Sequence, residues 1–180
     1  MLKSSGFGIA LFINIIIVVL WNFLSYFIST LLPKKYIHDS RPPFRIRDFE
    51  HQGKFYEENF ACDKWYRSLP GRPIRWRLKD NMFERKTIPD LQKMVLATCR
   101  IELWSMLNCT YFLCAWILDA AYLAFILSSI VFIANIPYII CSRYARCMIL
   151  NAMIGKRREQ AKKAKEKKDT PNFMDMYFSL

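Results

Sequence analysis

At 180 residues the chain has room for one compact domain and a tail. Hydrophobic residues make up 53% and aromatics 16%, yet 27 Lys and Arg against 15 Asp and Glu leave a net charge of +12. Mean hydropathy is only +0.07 because charged segments dilute two apolar ones. Residues 4–33 carry no charge and residues 103–142 carry only Asp119, and each run exceeds the ~20 apolar residues a helix needs to cross a bilayer. A water-soluble domain is thereby excluded in favour of an integral membrane protein.

The first run, with Lys3 ahead of it, invites comparison with a secretory signal. Its apolar core is far longer than the ~7–15 residues of such a signal, and no A-x-A site follows, so residues 1–33 are expected to anchor as a span. Lys and Arg favour the cytoplasmic side in loops flanking spans. Lys34, Lys35, Arg41, Arg45 and Arg47 follow the first run, which puts the N-terminus outside and the middle segment inside. Residues 34–100 hold 16 of the 27 basic residues and residues from 143 onward hold 10. Both flanks of the second run therefore belong inside, and that run reads as a helical hairpin turning near Leu118-Asp119-Ala120.

The middle segment, residues 34–96, mixes basic residues with Phe44, Phe49, Phe55, Tyr56, Phe60, Trp65, Tyr66, Trp76 and Phe83. Aromatics among cations suit a lipid headgroup interface, and residues 49–65 are expected to form a short amphipathic helix on the membrane. Single-stranded nucleic acid uses the same ingredients, but the flanking spans already explain the basicity, so no nucleic acid is expected. Thr87-Ile88-Pro89-Asp90 reads as a helix start with Thr87 as cap and proline in the first turn. That helix can run through the interface into the hairpin, residues 97–142, which brings Arg100 and Glu102 to the membrane boundary. In the second arm Pro137 frees a backbone carbonyl that Asn135 could satisfy. The tail, residues 143–180, has 8 basic and 2 acidic residues between positions 156 and 168 and reads as a partly helical extension touching anionic lipid. The expected fold class is an all-α membrane protein with three transmembrane helices, one N-terminal span plus a hairpin, and a cytosolic amphipathic interfacial segment.

Most catalytic patterns are missing. There is no G-x-S-x-G elbow, and Gly6-Phe7-Gly8 lies inside an apolar run instead of opening a nucleotide loop. No Cys pair has CxxC spacing; Cys99, Cys109, Cys114 and Cys141 lie in or beside the hairpin and read as small buried residues, so no metal is expected. His38 and His51 lack an Asp at H-x4-D spacing. Ionisable groups at the membrane boundary are functional candidates by default, which singles out Glu102 and Arg100. Of the two histidines, His51, ahead of Gly53-Lys54-Phe55, is the better candidate base.

Four segments, in order, resemble one family. They are Phe49-Glu50-His51-Gln52-Gly53-Lys54-Phe55-Tyr56; Lys64-Trp65-Tyr66-Arg67 with Leu69-Pro70; Thr98-Cys99-Arg100-Ile101-Glu102-Leu103 preceded by Lys93-Met94; and Ala134-Asn135-Ile136-Pro137 with Arg143-Tyr144-Ala145-Arg146. Together they are similar to the glycosyl-4,4′-diaponeurosporenoate acyltransferases of staphyloxanthin-type carotenoid biosynthesis, over roughly residues 8 to 160. The resemblance implies transfer of a fatty acyl chain to a sugar hydroxyl of a glycosylated carotenoid or related glycolipid in a bacterial cell membrane. The acyl thioester is then a co-substrate, with no further cofactor. It also implies catalytic roles for Glu102 or His51 as proton acceptor and for Arg100 in polarising the thioester carbonyl. Substrate contacts fall to Lys54, Lys64, Trp65, Asn135, Arg143 and Tyr144. Donor phosphates would find Arg72, Arg75, Arg77 and Lys79 attractive. The family pattern at the third segment, E-T-x-R-A-E-L-x-H-W, is broken here by Ala97, Ser105 and Met106, and R-Y-N-R at the fourth by Ala145. These departures keep an alternative open: a catalytically silent membrane protein of the same fold that binds lipid or scaffolds a membrane protein complex.

Overall fold

In a computed structural model, which describes residues 2–65, 83, 85–111 and 122–169, the chain is helical, with no strand among the described residues. The long elements are α1 (Leu2–Leu31), α4 (Ile88–Cys109) and α5 (Tyr122–Asp169). Between α1 and α4 lie a 3-10 turn (Asp48–Gly53) and two short helices, α2 (Lys54–Phe60) and α3 (Cys62–Trp65).

α1 is inside out by the standards of a water-soluble helix. Its inward face carries Asn14, Ser25 and Ser29, all buried, while Phe12, Leu20, Phe23, Phe27 and Leu31 are exposed. In water that arrangement would leave apolar area unburied at ~25 cal/mol per Å². In lipid it is favourable, because small and polar residues let helices approach while apolar ones face the acyl chains. The upper half of α5 repeats the pattern, with Ser128 buried and Phe125, Ile130, Phe132 and Ile133 exposed. These two helices are long and apolar enough to cross a membrane. α4 carries Arg100 and Glu102 and is not apolar enough to join them by composition.

α4 begins where the sequence says it should. Thr87 Oγ1 accepts from the Asp90 N–H, and the Asp90 carboxylate accepts from both the Thr87 N–H and its hydroxyl (2.6 Å), a reciprocal capping box with proline in the first turn. Its buried stripe, Leu91, Met94, Val95, Thr98, Cys99, Glu102, Ser105 and Asn108, recurs every three or four residues and faces α5. The two run antiparallel: Leu91 shares a cluster with Ile149 and Met153, and Asn108 Nδ2 reaches Asn135 Oδ1 at 3.5 Å. α1 packs along α4 in the opposite direction, through Trp21 Nε1 on the Leu107 carbonyl (3.0 Å) and an edge-on Tyr26–Trp104 contact. The expected turn at Leu118-Asp119-Ala120 lies outside the described residues.

Two sequence expectations are revised. Residues 49–65 are not one amphipathic helix: Gly53 (φ 107°) and Ala61 (φ 48°) adopt left-handed backbone and break the stretch into three pieces. These pieces pack on α5, where Tyr56 and Cys62 join Cys141, Tyr144, Ala145 and Cys147 in one cluster. Burial pushes the Cys62 thiol up to about 11 within that cluster. α5 itself runs past position 143 into the tail. It continues unbroken for 48 residues, ~72 Å at the helical rise, and is buried nearly all round from Cys141 to Cys147 because α4 covers one side and the short helices the other. Asn135 Nδ2 donates to the Val131 carbonyl (2.8 Å) and not to that of Ile133, the carbonyl Pro137 frees.

Gly53 is the tightest point of this packing. A Cβ there would stand 3.3 Å from Cys147 Cβ, on a backbone that L side chains avoid. Gly53→Ala is therefore expected to lower stability by about 1–3 kcal/mol, read as an earlier thermal midpoint of the detergent-solubilised protein.

Candidate functional site

At the level where α4, α5 and the short helices meet, four charged side chains are taken out of solvent together. Glu50, Glu102 and Arg146 are fully buried, and Arg143 is 16% exposed. An isolated buried charge is prohibitively costly, so such groups persist only when paired and hydrogen-bonded. The pairing here is continuous. Arg146 Nη2 bonds Glu102 Oε2, its Nη1 donates to the Phe44 carbonyl (2.6 Å) and its Nε to Thr98 Oγ1 (3.3 Å). Arg143 lies between the two carboxylates, with Nε 3.5 Å from Glu102 Oε1 and Nη2 3.4 Å from Glu50 Oε1. The same Nη2 donates to the Pro43 and Arg45 carbonyls, each at 3.2 Å.

A second layer fixes Glu50 and Tyr144. Glu50 Oε1 also accepts from the Arg47 N–H (3.3 Å), and Oε2 from the Cys147 thiol (3.8 Å). Burial pushes the Tyr56 phenol up, and the Glu50 carboxylate that accepts its hydrogen bond adds to the rise, so Tyr56 stays a neutral donor. Tyr144 donates its hydroxyl to Glu57 Oε1 (2.9 Å).

Chemically, the junction offers one underused acceptor. Glu102 Oε1 has no hydrogen bond among the described residues and only the long contact to Arg143 Nε. One and two turns further along α4, Ser105 Oγ and Asn108 Oδ1 are buried and likewise lack hydrogen bonds among the described residues. Glu102, Ser105 and Asn108 thus form a polar track down the inner face of α4. A guanidinium beside a carboxylate oxygen with spare capacity is the arrangement that accepts a proton from a hydroxyl and steadies the oxyanion that results.

The residues singled out from sequence divide. Glu102 and Arg143 come together at the junction, while Tyr144 bonds Glu57 on α2. Arg100 sits half-buried on the flank of α4, its Nε without a hydrogen bond among the described residues. Asn135 lies with Asn108 at the far end of the track. Lys54 and Lys64 are exposed on α2 and α3, and Trp65 is half-buried with Nε1 on the Phe60 carbonyl. His51 belongs to the 3-10 turn, but its side chain lies outside the described residues, as do Arg72, Arg75, Arg77, Lys79 and Cys114. Cys99 and Cys141 are buried free thiols and Cys109 is half-buried. Among the described residues no group of three or more His, Cys, Asp or Glu side chains is placed to hold a metal ion.

Sequence reasoning missed Glu50, Arg146 and Thr98 as members of the site. A signal for Arg146 existed: it follows Arg143 by three residues, which places both guanidiniums on one face of a helix. Glu50 carried no such signal, because only the left-handed turn at Gly53 and the packing on α5 bring it inward.

The model of the glycosyl-4,4′-diaponeurosporenoate acyltransferase family matches residues 33–154, which include every member of the junction. The chain is also similar to a glycosyl-4,4′-diaponeurosporenoate acyltransferase of Staphylococcus aureus (strain MRSA252), with 30% identity over 128 residues that cover 66% of this chain and 73% of the relative. No solved structure matches. On the length of the match, which spans α2 to the middle of α5 and all four recognised segments, the chain belongs to the glycosyl-4,4′-diaponeurosporenoate acyltransferase family.

Proposed function

We propose that the protein is a membrane acyltransferase that esterifies a sugar hydroxyl of a glycosylated carotenoid or related glycolipid with a fatty acyl chain from a thioester donor. The observation that carries this reading is convergence. Three of the four segments that resemble the family close on one another through Glu50, Glu102, Arg143 and Arg146, residues far apart in the chain that build one junction. In this reading Glu102 accepts the hydroxyl proton through Oε1. Arg143, the one junction member that reaches solvent, swings aside to admit the sugar and then steadies the developing negative charge. Arg100 polarises the thioester carbonyl from the flank, and His51, Lys54, Lys64, Trp65, Tyr144 and Asn135 serve the two substrates. The N-terminus lies outside and the basic middle segment and tail inside a bacterial cell membrane, with α4 as the middle span of three. This topology fits the basic C-terminal half of α5 and the segment after α1 sharing one end of the bundle.

The test is extraction of pigments and lipids from cells with and without the gene. An acyl ester on a sugar-bearing lipid should vanish with the gene, and unchanged acylation of every such lipid overturns the reading. Two observations favour a second: Glu102 is sealed from solvent, and Ser105 stands where the resemblance implies a histidine. A silent scaffold or lipid-binding subunit of the same fold would leave the lipid profile intact while membranes lacking it lose a partner complex.

A further inference from the structure

α5 outruns the bundle that it helps to build. Met153 is its last buried residue among those described, and Lys156 is tied back through Nζ on the Lys86 carbonyl (2.6 Å). Every residue from 157 to 166 is exposed. The helix still continues to Asp169, ~24 Å beyond Met153 at the helical rise. Along this projection Arg158, Lys162 and Lys165 follow one another at spacings of four and three, which sets them in one stripe ~10 Å long. None of the three has a hydrogen-bond or ion-pair partner among the described residues. Glu159 and Glu166 share a separate flank of the helix, seven positions apart.

Four kinds of partner take a cationic stripe, and the geometry separates them. A small anion needs a concave site, and a helix exposed all round from 157 to 166 offers none. The surface of the chain's own membrane is too distant. Leu32, where the apolar run of α1 ends, packs on the cluster that holds Ile149 and Met153, so Lys162 and Lys165 stand ~13–18 Å past that level. A headgroup layer adds only ~5–8 Å, and the remaining gap is about a Debye length of ~8–10 Å. Nucleic acid fits poorly, because no aromatic residue lies between positions 154 and 169 to stack on a base and Glu159 and Glu166 repel a phosphate chain. What remains is an acidic protein surface, best a helix with carboxylates at the same four-and-three spacing.

Acyl transfer has a use for such a visitor. A protein seated on Arg158 stands ~22 Å along α5 from Arg143, the junction member that reaches solvent, so the reacting carbon has to hang from it on an arm. We infer that residues 158–165 of α5 dock an acidic acyl carrier protein, whose phosphopantetheine arm presents the fatty thioester, and that the donor is therefore protein-borne and not a coenzyme A thioester. This rests on the acyl-transfer reading above. In the step it serves, the carbonyl carbon exchanges its C–S bond for a C–O bond to the sugar. The hydroxyl proton ends on the departing sulfur, so the carrier leaves with a free thiol. A dock made of exposed charges gives fast, weak and salt-sensitive association, which suits a partner that has to leave after each turnover.

The experiment follows binding of labelled bacterial acyl carrier protein, bearing its phosphopantetheine arm with a free thiol, to the full-length protein in detergent. Saturable binding is expected, weaker as salt is raised and weakened about 10–100-fold in Arg158→Glu/Lys162→Glu/Lys165→Glu. Lys163→Glu, on another face of the same helix, should stay within about threefold of the wild type. Equal affinity in the triple variant overturns the inference. So does equally tight binding of a single-stranded oligonucleotide, which would assign the stripe to nucleic acid, or of phosphatidylglycerol micelles, which would assign it to lipid. All four positions are exposed, so the variants should fold; thermal midpoints check this, and the triple alanine variant gives the same comparison with smaller perturbation. In the transfer assay hexadecanoyl carrier protein should have a lower KM than hexadecanoyl coenzyme A, and the triple variant should raise that KM without lowering kcat. A KM for the coenzyme A thioester as low or lower overturns the inference. The two readings fail separately. Carrier binding through the stripe with no ester from either donor overturns acyl transfer while leaving the dock, whereas ester formed from the carrier-borne donor at unchanged KM in the triple variant removes the dock alone.

Discussion

Arg146→Ala is expected to be the most destabilising single change in the molecule, lowering stability by about 3–5 kcal/mol. The guanidinium is fully buried and bonds three groups from two other parts of the chain: Glu102 and Thr98 on α4 and the Phe44 carbonyl after α1. Its removal leaves the Glu102 carboxylate buried with only the 3.5 Å contact to Arg143, and leaves the Phe44 carbonyl without its donor. The cost comes mainly from the abandoned partner and not from the intrinsic worth of the pair, because desolvation offsets most of the Coulombic attraction in a buried bridge. That account makes a second, sharper statement. Arg146→Met with Glu102→Leu, which removes both charges and keeps the volume, should recover most of the loss. Thermal unfolding in one detergent across the wild type, both single variants and the double variant gives the coupling. Singles within about 1 kcal/mol of the wild type would show that water or lipid headgroups already solvate the junction, and a double variant as unstable as the singles would show that packing, not charge, was lost.

The two long apolar helices and the start of α4 were legible from the chain because each is written locally. Charge-free runs reveal apolar helices, and Thr87 and Asp90 write a cap. The junction was only half legible. Glu102 stood out as a charge at awkward depth and Arg143 through the fourth family-like segment, but the partner of Arg146 lies 44 residues away, a distance over which no local periodicity speaks. The same limit explains the short helices. Nothing between positions 49 and 65 except Gly53 marks the breaks, and Ala61 takes a left-handed conformation that its own propensity disfavours, held by the packing of Tyr56 and Cys62 on α5. Burial of α5 past Arg143 was hidden for a related reason. Arginines after an apolar run read as an exit into water, and only their buried carboxylate partners turn them into core residues.

Glu102→Gln separates chemistry from architecture. The amide keeps the shape and one acceptor oxygen, so it can still receive Arg146 Nη2, but it can no longer take up a proton. If Glu102 is the proton acceptor, ester formation should fall by about 10²–10⁴-fold while the protein stays in the membrane. The variant also loses a charge facing two guanidiniums, so some stability goes with it, and a comparison is needed that costs stability without touching the proposed base. Glu50→Gln supplies one: Glu50 is equally buried and faces the same Arg143, through Nη2 at 3.4 Å, but it sits on the far side of that guanidinium from the Ser105–Asn108 track. Both variants should shift the thermal midpoint in the same direction and by similar amounts, and only Glu102→Gln should silence the ester. Activity of Glu102→Gln within tenfold of the wild type, assayed where both proteins are folded, removes Glu102 from the reaction. Equal silencing by Glu50→Gln would assign the loss to the ion-pair junction as a whole, and Glu102 would then be a residue that shapes the site and takes no proton.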